Sequence, residues 1–317
     1  MNANPLFLKS NAVDFRAVEF FAGVGGFATA WPEVEVAAAI DIHQGAAEVY
    51  AANNSHPFWT REIESIASED ILALQANLWW MSPPCQPYTL RGLRRDVVDP
   101  RAQSLLRLID LMADCKPEYL LLENVHGFAK SRALGRLCQQ LERCGYSWQT
   151  IELCPTEMGW PNKRPRFYLM ASRIAKLVPW RSVPEYFYRT DDMVERHVDL
   201  QEIPLELLMD ESIIATIEDG IDRCDPNSER ATACFGSSYG RSLLNSGSYL
   251  QLKDGRYRRF LPREVANLLG FPPSFNLPVA CRTRTLWKLL GNSLSIPAVR
   301  YVLSHLPGGP SPKLPWR

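Results

Sequence analysis

From Ala17 to about Ser172, short apolar runs alternate with stretches whose apolar residues recur at helical spacing. Repeated units of this kind bury a strand on both faces, and they predict an α/β fold with a mainly parallel sheet. Strands are expected over residues 17–21, 34–40, 78–81, 119–122, 148–153 and 166–171. Leu105, Leu108, Ile109 and Met112 mark one helix, stopped by Pro117, and Leu134, Leu137 and Leu141 mark another, closed by Gly145. After Arg173 the pattern turns irregular and mixed in charge up to about Lys253. Regularity returns with a helix that begins at Pro262 and ends before Gly270, and with another at Pro297. The expected organisation is a discontinuous main domain, residues 1–172 and 258–317, interrupted by a smaller one at 173–257.

A chain of 317 residues with 46% hydrophobic content has enough apolar material for a substantial core. Its 35 basic and 35 acidic residues cancel, so a polyanionic partner has to be met by a local basic face and not by the field of the whole molecule. Eight cysteines, at positions 85, 115, 138, 144, 154, 224, 234 and 281, show no C-x-x-C and no repeating frame, which suits a reducing cytosol. No run approaches the roughly 18 apolar residues that a membrane span needs, and the amino terminus lacks a leader pattern. A soluble, cytoplasmic protein is expected, with no membrane and no obligate protein partner implied.

Two strand ends carry the candidate chemistry. The run Leu78-Trp79-Trp80-Met81 leads into Ser82-Pro83-Pro84-Cys85-Gln86-Pro87, and Tyr119-Leu120-Leu121-Leu122 leads into Glu123-Asn124-Val125. As neighbouring parallel strands they would bring a thiol and a carboxylate to the sheet edge where open α/β folds bind ligands. An unpaired cysteine is most often a small buried hydrophobe, the reading that holds for the other seven. Around Cys85, however, three prolines fix the backbone while Gln86 and Thr89 keep the surroundings polar. Glu123 also reads as an ordinary strand-end acid. Arg164 and Arg166 flank Pro165 before a strand and read either as solvated charge or, at alternate positions, as two guanidinium groups converging on one site. The turn Phe21-Ala22-Gly23-Val24-Gly25-Gly26 follows a strand, and glycines there let a ligand lie against the backbone. It is neither a G-x-G-x-x-G nor a P-loop, and a purely structural turn stays open. Asp41, 18 residues after Gly23, suits ribose hydroxyls. A zinc deaminase is rejected because P-C-x-x-C would need cysteine where Tyr88 stands. No cluster with metal-ligand spacing appears, so no metal is expected.

Phe-x-Gly-x-Gly-Gly, Pro-Pro-Cys-Gln, Glu-Asn-Val, Arg164-x-Arg166 and Gly291-Asn292-Ser293 together resemble the cytosine-5 methyltransferases of DNA-methyltransferase type, in order and approximate spacing. Cys234-Phe235, followed by Tyr239-Gly240, Gly247-Ser248 and Leu250-Gln251, is similar to the signature region of the branch that methylates transfer RNA, the type-two DNA-methyltransferase homologues. Gly236 stands where that branch has threonine, a departure that bears on substrate and not on reaction.

The resemblance implies a Rossmann-like S-adenosylmethionine-dependent methyltransferase fold with a small inserted target-recognition domain. It implies S-adenosylmethionine as donor and S-adenosylhomocysteine as product. Carbon-5 of cytosine becomes nucleophilic once a thiolate has added at carbon-6, so a cysteine is chemically required. Cys85 is implied as that nucleophile, Glu123 as the group on ring nitrogen 3, Arg166 as the holder of the cytosine carbonyl and Arg164 as a brace on the thiolate side. The carbon-5 proton leaves to a base, water among the candidates. Phe21, Gly23, Val24, Gly25, Gly26, Asp41, Ile42, Glu62, Ile63, Pro83, Leu105, Asn292 and Ser293 are the implied donor site, with core packing an equal reading for Leu105. Gln86, Asn124, Tyr88, Arg91, Cys234, Phe235 and Tyr239 are the implied substrate side, Asn124 by positioning the loop. Tyr88, Tyr239 and Trp160 are stacking candidates, with core packing an equal reading for Trp160. Arginines 91, 94 and 95, and 256, 258 and 259, are phosphate candidates with a solvated-charge alternative. A base must leave its stack to be enclosed, which costs least in a loop, and RNA readers commonly take splayed loop bases. The expected substrate is therefore tRNA at an anticodon-loop cytosine. DNA is the rival, and a catalytically silent donor-binding scaffold the reading from another class.

Overall fold

The computed structural model describes residues 14–89, 95–195, 204–209 and 220–316. Seven strands form the main sheet: β1 Arg16–Phe20, β2 Glu35–Asp41, β3 Phe58–Thr60, β4 Leu78–Met81, β5 Tyr119–Val125, β6 Ser147–Leu153 and β7 Arg166–Ser172. Their order is β3-β2-β1-β4-β5-β7-β6, parallel throughout except that β7 runs antiparallel to both of its neighbours. Chain progression reverses between β1 and β4, the crevice where ligands bind in open sheets.

Helices cover both faces. On one side lie α3 Ser68–Leu72, α4 Gln103–Cys115 and α5 Arg132–Arg143, whose apolar stripes pack on Val18, Phe20, Leu120 and Leu122. The other side takes α1 Gly26–Ala30 and α2 Gln44–Ala51, together with the carboxyl-terminal helices α6 Pro262–Leu268, α7 Thr283–Gly291 and α8 Ile296–Leu303. The carboxyl-terminal segment thus completes the first half of the chain, with α8 packed against α1. Pro262 opens α6, and Gly270, at φ 86°, follows its end. Among the described residues no helix is long and apolar enough to cross a membrane.

The irregular stretch contributes a second sheet of three short strands, β8 Asp222–Cys224, β9 Ser248–Gln251 and β10 Tyr257–Arg259, in the order β10-β9-β8. It is fixed to the main body by Arg258 and Glu264, both buried, whose guanidinium and carboxylate form two hydrogen bonds of 2.7 Å. Glu264 also accepts the Leu261 and Glu195 amides. Arg258 is therefore no phosphate contact. A buried guanidinium is held there because its partner satisfies both terminal nitrogens, although Nε is left buried without a partner. Arg256 pairs with Asp254, and Arg259 donates to the Glu206 carbonyl. Arg91 and Arg94 lie outside the described residues, and Arg95 is exposed.

Candidate active site

Parity and register place the reactive side chains. In β5, Tyr119 and Leu121 face the core shared with α1 and α8, so Glu123 faces it too. The strand runs on through Val125 instead of stopping at Leu122, because β7 supplies pairing along its whole length. Being antiparallel, β7 begins where β5 ends. Val125 pairs with Arg166 and Glu123 with Tyr168, so Glu123 and Arg166 are diagonal neighbours on one face. Arg166 Nε lies 3.1 Å from Glu123 Oε1, with both side chains nearly buried. The parallel neighbour β4 ends at Met81, opposite Leu122, and its continuation carries Cys85 to the same edge.

The Cys85 loop is held from below. Asn124 Nδ2 donates to the Pro83 carbonyl at 3.0 Å, and Ser82 Oγ to the Phe21 carbonyl at 3.1 Å. A Cβ on Gly127 would come within 2.2 Å of the Tyr88 carbonyl, so the loop rests directly on that glycine's backbone. Nothing in the sequence pattern singled out Gly127, since its role depends on the approach of a distant segment.

Electrostatics follow from burial among few charges. Burial pushes the Glu123 carboxyl above the ordinary range, against the opposing pull of Arg166 and Arg164. It likewise pushes the Cys85 thiol up, again opposed chiefly by Arg166. For Cys234, burial is outweighed by Arg164 and Arg166 together, and the thiol lies below its usual value. Its sulfur sits 3.4 Å from Arg164 Nη1 and 3.9 Å from Arg166 Nη2. The two guanidinium groups thus converge, although Arg164 precedes the strand. Arg164 departs from the expected brace in one respect. It is buried and clamps backbone, donating to the carbonyls of Phe235, Gly291 and Ser293.

A cavity of about 720 Å³ opens over this edge, within the range of roughly 300–1,000 Å³ common for small-molecule sites. Its walls include Phe21, Gly23, Asp41, Ile42, Glu62, Ile63, Pro83, Cys85, Gln86, Glu123, Arg164, Arg166, Asn292 and Ser293. Val125, of the Glu-Asn-Val motif, also lines it, as do Arg61, Glu64, Pro100, Arg101, Gln103 and Ser104, which sequence reasoning missed because they come from loops and a helix start without a distinctive pattern. Asp41 accepts the Gly23 amide at 2.9 Å and the His43 amide at 2.8 Å, which ties the ends of β1 and β2 together.

Several expected donor residues lie elsewhere. Val24 is buried in the core, and Leu105 packs in the opposite core under α4, so core packing explains both. A Cβ on Gly25 would come within 3.0 Å of the Tyr50 ring, and one on Gly26 within 2.9 Å of Leu294. These two glycines serve close packing behind the turn; only Gly23 faces the cavity, where an added Cβ would meet no atom within 4 Å. Gly25, at φ 88°, is also left-handed. We expect Gly25→Ala to destabilise the fold by about 1–3 kcal/mol, checked by chemical denaturation.

The aromatic stacking candidates are corrected as a group. Tyr88 is buried edge-on against Phe128, and Trp160 is buried with its Nε1 donating to the Leu268 carbonyl. Tyr239 is buried between Phe235 and Trp287, donates to the Ser248 carbonyl and accepts the Phe260 amide. Phe235 is core as well, packed on Tyr239 and Phe260. Each ring face or edge is already packed against protein, so none is free to stack on a base, although the Tyr88 hydroxyl is buried without a partner. A Cβ on Gly291 would come within 2.4 Å of Gly236 backbone, whereas one on Gly236 meets nothing nearer than 3.8 Å. Packing therefore requires glycine at 291 and does not explain it at 236.

The profile of the family described as C-5 cytosine-specific DNA methylases matches residues 15–220 and 213–307. The chain is 31% identical to a tRNA (cytosine(38)-C(5))-methyltransferase of Schizosaccharomyces pombe, over 92% of this chain and 96% of the relative. It is 29% identical to the Bos taurus protein of the same description, over 92% and 98%. The crystal structure of the S. pombe Dnmt2 methyltransferase superimposes with a TM-score of 0.81 at 30% identity, covering 92% of this chain and 97% of that one. The architecture is the Rossmann-like methyltransferase fold.

Proposed function

Because the chain belongs to the C-5 cytosine-specific DNA methylase family, we propose that it methylates carbon-5 of an anticodon-loop cytosine in tRNA, with S-adenosylmethionine as donor. The observation that carries the chemistry is the buried Glu123–Arg166 pair at 3.1 Å, set beside Cys85 in one cavity. The choice of tRNA rests on the relatives named for that activity, alike over nearly their whole length.

In this reading Cys85 adds to carbon-6 of the cytosine, and the electron density gained by the ring is met on the opposite side. Glu123, whose carboxyl burial biases toward the protonated form against the pull of Arg166 and Arg164, donates to ring nitrogen 3. Arg166 holds Glu123 and turns its remaining donors toward the ring carbonyl. Arg164 keeps the Cys234–Phe235 and Gly291–Ser293 segments at fixed distance by bridging their carbonyls. Carbon-5, now nucleophilic, takes the methyl group, its proton leaves, and elimination of Cys85 restores the ring. The target-recognition part runs from residue 173 to Arg259, past the expected boundary at 257 because β10 pairs with β9 through Arg259, and the sheet β10-β9-β8 is its frame.

Two features fit the donor. Gly23 leaves open space over its backbone, and Ile42 stands 62% exposed on the cavity wall beside Asp41. When bound, the donor supplies an electrophilic methyl group on a sulfonium. Asp41 would hold the ribose, Phe21, Ile42 and Ile63 the adenine face, Glu62 its edge, and Gly23, Asn292 and Ser293 the methionine portion. We expect Asp41→Ala to weaken donor affinity about tenfold or more while changing kcat little, because the contact is the same in ground and transition states. Calorimetric titration and steady-state kinetics check this, and unchanged affinity would remove Asp41 from the donor site.

Total tRNA and duplex DNA, each incubated with radiolabelled donor, test the substrate. Label should enter tRNA, and bisulfite sequencing should place it in an anticodon loop. Label confined to DNA would reverse the choice.

A further inference from the structure

Glu19 is an ionisable residue to which the proposed chemistry gives no role. It is fully buried in β1, beside Trp80 of β4. Its Oε1 accepts the Phe27 amide at 3.1 Å and its Oε2 the Tyr50 hydroxyl at 3.2 Å. That hydroxyl also lies 3.1 Å from His56 Nδ1, and His56 is only partly buried. Glu19 precedes the turn Phe21–Gly26 and Phe27 follows it, so the carboxyl joins the two ends of the turn whose Gly23 faces the cavity. Tyr50 is tied to the same turn, since it is the ring that Gly25 abuts.

We propose that Glu19 is a positioning residue for the donor turn, and that it releases its proton to solvent through Tyr50 and His56 when a cationic donor occupies the cavity. The inference rests on the donor reading above.

A hydroxyl has one proton, so the relay has two polarities. With Glu19 protonated, the carboxyl donates to the Tyr50 oxygen and Tyr50 donates to His56 Nδ1. Release passes the Glu19 proton to the Tyr50 oxygen and the Tyr50 proton to Nδ1, and the imidazolium then loses its Nε2 proton to water. What remains is a carboxylate that accepts from Tyr50, which in turn accepts from His56 Nδ1–H. The titratable groups facing Glu19 are Tyr50 on α2, His56 beyond it and Asp41 at the end of β2. Arg300 of α8 serves the far end of α1 through the Ala30 carbonyl. Burial pushes the carboxyl up to about 8, against the pull of the Phe27 amide and Tyr50, while Asp41 adds to the rise. Positive charge on the donor favours the carboxylate. The carboxylate is also the stronger acceptor for the Phe27 amide, so ionisation and tightening of the turn go together.

Titration calorimetry with S-adenosylmethionine, in two buffers of different ionisation enthalpy near about pH 7.5, reads the released proton directly. A downward shift of about one unit on binding would release roughly half a proton per donor. S-Adenosylhomocysteine, with its neutral sulfur, should release less. Glu19→Gln should bind with heats that no longer depend on buffer. Tyr50→Phe, which removes a donor to the carboxylate, should move the linkage to higher pH and decides the matter should Glu19→Gln not fold. Buffer-independent heats in the parent protein, or persistent dependence in Glu19→Gln, overturn the inference. Absence of any binding heat in the parent overturns the donor reading itself.

Discussion

Cys85→Ala is expected to lose methyl transfer by on the order of 10⁴-fold or more while donor affinity stays within about twofold. Binding would be nearly untouched because the thiol is not among the proposed donor contacts and sits on a loop held by Asn124, Ser82 and the Gly127 backbone, none of which needs the sulfur. The chemical loss is large because no other group in the cavity can do the same work. Arg164 and Arg166 are cations, and Glu123 is held by Arg166. Cys234 is engaged by both arginines and is not among the cavity-lining residues. Single-turnover kinetics with labelled donor, run beside calorimetry, separates the two quantities. RNA carrying 5-fluorocytosine supplies an independent readout, since fluorine at carbon-5 prevents elimination and leaves the enzyme joined to the ring. A trapped peptide that contains Cys85 is the expected result; a peptide from another part of the chain, or residual turnover in the alanine variant, would end the covalent route.

Much of this site was legible in the sequence because it is built from strand ends. Apolar runs announce β1, β2, β4 and β5, and the residue after each run is placed at the sheet edge by geometry alone. Phe21, Asp41, Cys85 and Glu123 all meet at one cavity for that reason. The antiparallel course of β7 was not legible, yet it explains why a strand entry carrying Arg166 arrives beside a strand exit carrying Glu123. Residues whose role depends on what packs behind them were misassigned. Gly25 and Gly26 belong to a glycine-rich turn, but their missing side chains make room for Tyr50 and Leu294. Tyr88, Trp160, Tyr239 and Phe235 are aromatic in a region expected to bind a base, and tertiary packing had already used every ring. Arg258 read as part of a basic cluster until Glu264, six residues on, closed around it. Periodicity reports which face a residue takes; it does not report what waits there.

Glu123→Gln should lower the rate by about 10²–10⁴-fold and change its pH dependence. Glutamine fills the same space and can hydrogen-bond to ring nitrogen 3, but it cannot give that nitrogen a proton. In the parent protein the two reacting groups titrate in opposition. Deprotonation activates Cys85, whose thiol burial holds above its ordinary value, so the rate rises with pH as thiolate forms. Deprotonation silences Glu123, whose carboxyl is also raised, so the same increase in pH removes the acid. The two limbs oppose each other and confine the parent's activity to a limited window. With glutamine the descending limb is gone, and the remaining activity should climb with pH until the thiol has ionised. The substitution also removes the carboxyl group that Arg166 faces at 3.1 Å. Free of that partner, the guanidinium stabilises thiolate more effectively, which should shift the ascending limb to lower pH. A profile of kcat/KM against pH for both proteins decides it, and a descending limb that survives in Glu123→Gln would assign the acid to another residue.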